Sequence, residues 1–135
     1  MWADALDEHQ QIFLKSLFNT VPQLLSVSIL EIKIEYGDSV SIRFDLPEYA
    51  DKPPQKWTNQ GYNTVQIQLD FSGVYICDIQ LSRNSNSDKH LNNIEIIKNE
   101  EEKMINIILD GSFKGKIKAD YGFIQSIQGY INETK

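Results

Sequence analysis

Reactive side chains are scarce in this chain of 135 residues: it has one cysteine, Cys77, and two histidines, His9 and His90. A single thiol excludes an intrachain disulfide and any zinc site built on paired cysteines. The two histidines stand in no metal-ligand spacing and beside no nucleophile, and they read as surface residues. Cys77 alternates with Tyr75, Ile79 and Leu81 and reads as a structural thiol turned toward the core. Long apolar runs are lacking as well. None approaches the roughly 18–20 residues of a membrane helix. The opening residues, with Asp4, Asp7 and Glu8, lack the basic and apolar regions of a signal peptide, so the expected location is cytoplasmic.

Positive charge is also short. Thirteen Lys and Arg face nineteen Asp and Glu, a net charge of −6. That sign opposes direct binding to nucleic acid. It suits a cationic partner met by field-assisted encounter, or it serves solubility alone. With 41% hydrophobic and 24% charged residues, the chain belongs with globular proteins rather than disordered ones. Its length fits one domain over residues 1–135, large enough to bury a core without disulfides or metals.

What is present is mostly alternation. An opening stripe of Gln10, Phe13, Leu14, Leu17, Phe18 and Val21 has the three-four spacing of a helix, with Asp4, Asp7 and Glu8 near its start and Pro22 at its end. After Ser26 the period becomes two. Ile32, Ile34 and Tyr36 turn at Gly37-Asp38 into Val40, Ile42 and Phe44, a hairpin with a bulge expected near Ile29–Leu30. Val65, Ile67, Leu69 and Phe71 turn at Ser72-Gly73 toward Tyr75, Cys77 and Ile79, a second expected hairpin. A polar loop over 83–89 precedes a third hairpin, 91–98 with 104–109. Strands at 113–119 and 124–131 follow. The expected fold is therefore α+β: an N-terminal helix packed on a mainly antiparallel, curved sheet of about eight strands.

Three of the four prolines, Pro47, Pro53 and Pro54, fall in one stretch, residues 43–57, among acids and aromatics. Restricted backbone limits the entropy lost on docking, and Tyr49 and Trp57 are ring types enriched at binding hot spots. Asp45, Glu48, Tyr49, Asp51 and Trp57 are the candidate partner-binding residues. Glu100, Glu101 and Glu102 form a second, peripheral acidic site. The competing structural reading makes Trp57 a cover over one end of the core and the glutamate run a solvated turn. Asp45, Glu48 and Asp51 could also be read as a carboxylate dyad, but nothing in the sequence places two of them across a cleft. Lys114, Lys116 and Lys118 read as a solvated face or a guarded edge strand. The run from Gly111 to Lys116 lacks the spacing of a phosphate loop. No catalytic residue, cofactor or metal site is assigned.

Arg43-Phe44-Asp45-Leu46-Pro47, Asp51-Lys52-Pro53-Pro54, Lys56-Trp57 and Gly61-Tyr62-Asn63-Thr64-Val65-Gln66 resemble the central block of the immunity protein 50 family. Trp2, Leu17-Phe18, Pro22 and Leu24-Leu25 are similar to that family's opening. The resemblance covers most of the chain to about Phe71. It implies a small cytoplasmic antidote of a bacterial polymorphic toxin system. Such a protein binds the C-terminal domain of its cognate toxin, often a nuclease, and is no enzyme. It does not indicate which residues touch the toxin. Two other readings stand beside it. One is a small-molecule or lipid-binding module with a deep apolar pocket between helix and sheet, holding Phe13, Phe44 and Phe113. The other is a carboxylate-dependent hydrolase.

Overall fold

A computed structural model of the chain describes residues 1–82 and 91–135; the expected polar loop at 83–89, and His90, lie outside the described residues. The alternating segments become six strands: β1 (Val27–Glu35), β2 (Ser39–Asp45), β3 (Thr64–Leu81), β4 (Leu91–Asn99), β5 (Met104–Gly111) and β6 (Phe113–Tyr130). All pair antiparallel, in the ring order β1-β2-β3-β6-β5-β4. The ring closes narrowly, through Val27↔Asn92 and Ser28↔Leu91. The first and third hairpins form where alternation puts them, and the register slips between Ile29 and Glu31, at the expected bulge.

Among the described residues the sheet has six strands, not eight. Ser72-Gly73 is no turn: Ser72 pairs with Tyr121 and Val74 with Ala119, so β3 continues along the same neighbour. The segments at 113–119 and 124–131 likewise merge into β6. The reason is geometric. A straight eighteen-residue strand would run ~60 Å at about 3.3 Å per residue. A domain of this size is only roughly 35–40 Å across. Both long strands must therefore bend, and register shifts at Gln68/Leu69 and Val74/Ile76 let them do so. Gly73, at φ +63, takes the left-handed conformation the bend requires, and any side chain there would strike that of Asp120. Turns and bulges draw on the same residue, which is why the sequence reads as a hairpin.

Bending lets one ribbon serve two half-sheets. The first half of β3, backed by the last half of β6, pairs with β2 and through it reaches β1; the first half of β6, backed by the last half of β3, pairs with β5 and through it reaches β4. Inside, Ile42, Phe44, Val65, Ile67, Leu69 and Phe71 are fully or nearly fully buried and meet Ile107, Ile117 and Ala119 in one core. Asn92, a buried polar residue, is satisfied by Phe113: its Nδ2 donates to the carbonyl (2.6 Å) and its Oδ1 accepts from the N–H (3.2 Å). β6 lies between β3 and β5, so its lysines do not guard an edge strand.

The expected N-terminal helix is broken in two. A 3-10 turn (Trp2–Ala5) precedes α1 (Gln11–Leu17). Between them the N–H of Asp7 donates to the carbonyl of Gly122 (2.9 Å), on the part of β6 that β5 leaves uncovered, and Gln10 turns through φ 63. A tertiary bond thus outcompetes helical continuity. The helix ends at Leu17 rather than Pro22, and the Leu17 carbonyl accepts the Lys52 N–H (2.9 Å). A second helix, α2 (Gln55–Gln60), arises inside the proline-rich stretch, where sequence reading expects only loop. Pro54 precedes it and Gly61 ends it in the left-handed conformation, a stop-and-start pair visible in the sequence. Among the described residues no helix is long and apolar enough to cross a membrane.

Candidate functional site

The proline-rich segment uses its aromatic residues inward. Trp57 is 8% exposed and lies at the centre of a ring cluster. Phe13 of α1 meets it edge-on at 5.9 Å, Tyr62 lies at 6.3 Å and Tyr49 at 6.5 Å. The indole rests on the backbone of β6, where a Cβ at Gly129 would come within 2.7 Å of it. Trp57 thereby clamps both helices onto the first half-sheet. Tyr49 is half-buried, its hydroxyl is without a hydrogen-bond partner among the described residues, and burial pushes its pKa up.

The three acids of that segment separate. Asp45 is 5% exposed and belongs to a polar network. It accepts from Gln66 Nε2 (3.3 Å) and from the Tyr130 hydroxyl, while Arg43 reaches Gln66 Oε1 at 3.5 Å. The phenol of Tyr130 is pushed up to about 12, first by burial and then by the Asp45 carboxylate. Asp51 accepts from the Asn19 backbone N–H (2.9 Å), tying the loop to the chain after α1. Glu48 is exposed and without an ion pair among the described residues; partial desolvation raises its pKa against the pull of the Lys135 ammonium. Of the five candidates here, Glu48 and Asp51 are exposed, and Asp51 is the one tied to the backbone.

The glutamate turn lies elsewhere. Glu100, Glu101 and Glu102 follow β4, where Asn99 Oδ1 accepts from the Glu101 and Glu102 N–H groups (3.0 and 3.1 Å). Glu102 is ion-paired with Lys118 on β6, and all three glutamates are exposed. Because Ile105 pairs with Ala119, the turn sits near the middle of β6, eleven residues from Tyr130. The two acidic sites do not form one patch: at about 3.3 Å per residue the offset along the strand is ~35 Å.

Three residues given no binding role from sequence stand around that midpoint. Tyr36, Tyr75 and Tyr121 are 107%, 76% and 49% exposed. Strict alternation puts Tyr75 on the face of Cys77; the shift at Val74/Ile76 leaves it unpaired and turned out. Cys77 itself is half-buried against the core, where burial and then Asp78 raise its pKa. Gly73 is the residue whose bulge chemistry could have revealed Tyr75.

Other candidate chemistry is sparse. Among the described residues no group of His, Cys, Asp and Glu is placed to hold a metal. His9 is exposed and meets Phe123 edge-on at 5.8 Å. An open groove of ≈ 1270 Å³ runs between the N-terminal 3-10 turn and the outside of β4 and β5, past Leu25, Ile97 and Ile108. It holds none of Phe13, Phe44 and Phe113, and Phe44 is fully buried in a packed core.

The fold and its outward chemistry define a class: a small α+β domain, a closed antiparallel sheet with two short helices packed on it, exposing carboxylates and tyrosines. The chain belongs to the immunity protein 50 family, whose model matches residues 10–130, from just before α1 through the end of β6. No curated protein and no solved structure matches it.

Proposed function

We propose that this chain is a cytoplasmic immunity protein that neutralises a cognate bacterial toxin by covering the toxic domain in a stoichiometric complex. The family match over residues 10–130 carries this reading. The toxic domain is a nuclease with a basic substrate surface, and the net charge of −6 complements it. Opposed fields speed encounter and ordered rings slow release, so the antidote needs no turnover. A stable complex of this kind buries on the order of 1,200–2,000 Å². Of the residues singled out in sequence, Glu100 and Glu101 make contacts as exposed acids, while Asp45, Asp51 and Trp57 hold the scaffold.

The test is co-expression with the C-terminal domain of the toxin encoded beside this chain. Cells should survive induction of that domain only with the chain present, and the two should elute as one complex. Survival without the chain, or two separate species at micromolar concentration, would overturn the reading.

A further inference from the structure

The docking surface, on this reading of the protein as a toxin antidote, can be located more closely. We propose that the partner binds at the waist of the β3–β6 ribbon, where three outward tyrosines rimmed by carboxylates form a surface fitted to a basic protein. Four elements meet there. Ser72↔Tyr121 and Val74↔Ala119 mark the bend of the ribbon. The turn after β1 is fastened on one flank, the Val74 N–H donating to the Asp38 carbonyl (3.0 Å), two residues from Tyr36. The turn after β4 is fastened on the other, through Glu102 and Lys118. At about 4.8 Å between neighbouring strands, these parts span roughly 15–20 Å, the scale of an interface centre.

The Tyr75 ring is ordered without being consumed. Lys118 Nζ lies 6.0 Å from the centre of the Tyr75 ring and is itself held by Glu102. A partner therefore meets a ring already placed and loses less entropy in docking on it. Exposed tyrosines offer large contact area with a polar tip, the chemistry enriched at hot spots. The ribbon also opens at this point. Beyond the Asp38 contact, the last part of β3 pairs with β6 alone among the described residues, leaving its other edge for a partner strand.

Charge names the occupant. Glu35, Asp38, Glu100, Glu101, Glu102 and Asp120 surround the tyrosines, against Lys33, Lys103 and Lys118. Lys33 and Lys118 are already paired, with Glu35 and Glu102, which leaves Asp38, Glu100, Glu101 and Asp120 without an ion pair among the described residues. Around the proline-rich segment, Asp45, Glu48 and Asp51 are nearly balanced by Lys52 and Lys56. The groove along β4 and β5 sets Asp78, Glu95, Glu100 and Asp110 against Lys98, Lys114 and Lys116, with Asp4 paired to the Met1 amino group, and none of the three tyrosines lines it. The waist thus combines unspent rings with unmatched negative charge, and a basic protein face satisfies both.

The test measures binding of the neighbouring toxin domain to the full chain by titration calorimetry, with hydrogen exchange on the wild-type complex. The triple variant Tyr36→Ala, Tyr75→Ala, Tyr121→Ala should weaken Kd on the order of 100-fold with an unchanged melting temperature. Backbone protection should fall on residues 72–76 and 118–122. Wild-type affinity in the triple variant, or protection confined to residues 46–61, would overturn the waist and leave the antidote reading intact. Absence of any wild-type complex would overturn both. If the triple variant fails to fold, the exchange footprint of the wild type decides. A waist buried in a dimer of this chain would also refute the proposal.

Discussion

The proline-rich segment and the ribbon waist are built from the same kinds of residue, aromatics beside carboxylates, yet they spend them in opposite directions. Around Trp57 the rings turn inward and stack on one another over Gly129. At the waist the rings of Tyr36, Tyr75 and Tyr121 turn to solvent. Composition and rigidity, the signals that make the first segment attractive as an interface, therefore mark a scaffold equally well. What separates the two is whether a neighbouring element already occupies the ring. α1 and β6 occupy Trp57, whereas Tyr75 stays 76% exposed with the tip of Lys118 6.0 Å from its ring centre.

The sharpest way to break this contrast is to remove the central ring of the scaffold. Trp57→Ala should cost about 3–5 kcal/mol, because it empties the space between two helices and the sheet and leaves three rings without their common neighbour. Chemical denaturation checks it. A loss under 1 kcal/mol would mean that the indole is replaceable cover, and the contrast with the waist would dissolve.

Next in size is the polar network at the same end. Tyr130→Phe removes the donor to the Asp45 carboxylate and should cost about 1–3 kcal/mol, since the acceptor is buried. The linkage has a definite sign. The phenol ionises near 10 in the unfolded chain and near 12 in the fold. Between those values the unfolded chain releases its proton first, so stability drawn from Tyr130 is fully present below pH 10 and is lost as pH rises toward 12. The margin of wild type over Tyr130→Phe should be flat below pH 10 and shrink above it. Melting temperatures of the two proteins across that range measure it.

How much of this was legible depends on which interaction decided each element. Local alternation fixed β2, β4 and β5, because those strands each keep one face inward, whereas β1 buries only Val27 and Ile29 and leaves Leu30, Ile34 and, just past its end, Tyr36 exposed. It miscounted the strands at Gly73, where a positive φ serves a bulge as readily as a turn. Only the pairing of Ser72 and Val74 to one neighbour tells the two apart. The helix break at Gln10 was hidden for a similar reason, since its cause is the Asp7–Gly122 bond, far apart in sequence. The helix Gln55–Gln60 was legible in principle from Pro54 and Gly61, but its short length left no periodicity to read. The acids were visible as acids. The fates of Asp45, in a network, and Asp51, in a backbone tie, were set by partners as far as 85 and 32 residues away, while Glu48 stays in solvent.

At the waist the same substitution should leave folding alone. Tyr75→Ala removes an exposed ring and should change stability by under ~0.5 kcal/mol. The contrast with Trp57→Ala is then about tenfold in free energy for the same class of change. Parallel denaturation curves measure it directly. A loss above 2 kcal/mol would show that the waist rings hold the bend of β3 and are not free for a partner.

The smallest effect discriminates most finely, because it separates the two acidic sites by the field each contributes. Glu100→Lys with Glu101→Lys, and Glu48→Lys alone, each replace exposed carboxylates that have no ion pair among the described residues. Asp51→Lys is unsuitable, since it would also break the bond to the Asn19 N–H; Asp51→Asn keeps an acceptor there. The Debye length is about 10 Å at 0.1 M salt, so a charge steers a partner only if it lies near the docking surface. The glutamate turn adjoins the waist, whereas Glu48 lies beyond the far end of β6. Reversal at the turn should therefore slow association several-fold at low salt and flatten its dependence on salt. Reversal at Glu48 should change the rate by less than about twofold. Stopped-flow mixing with the neighbouring toxin domain at 20 and ~200 mM salt reads both. A steeper response from Glu48 than from Glu100 and Glu101 would return the interface to the proline-rich end, and the inward packing of Trp57 would then be the support beneath it.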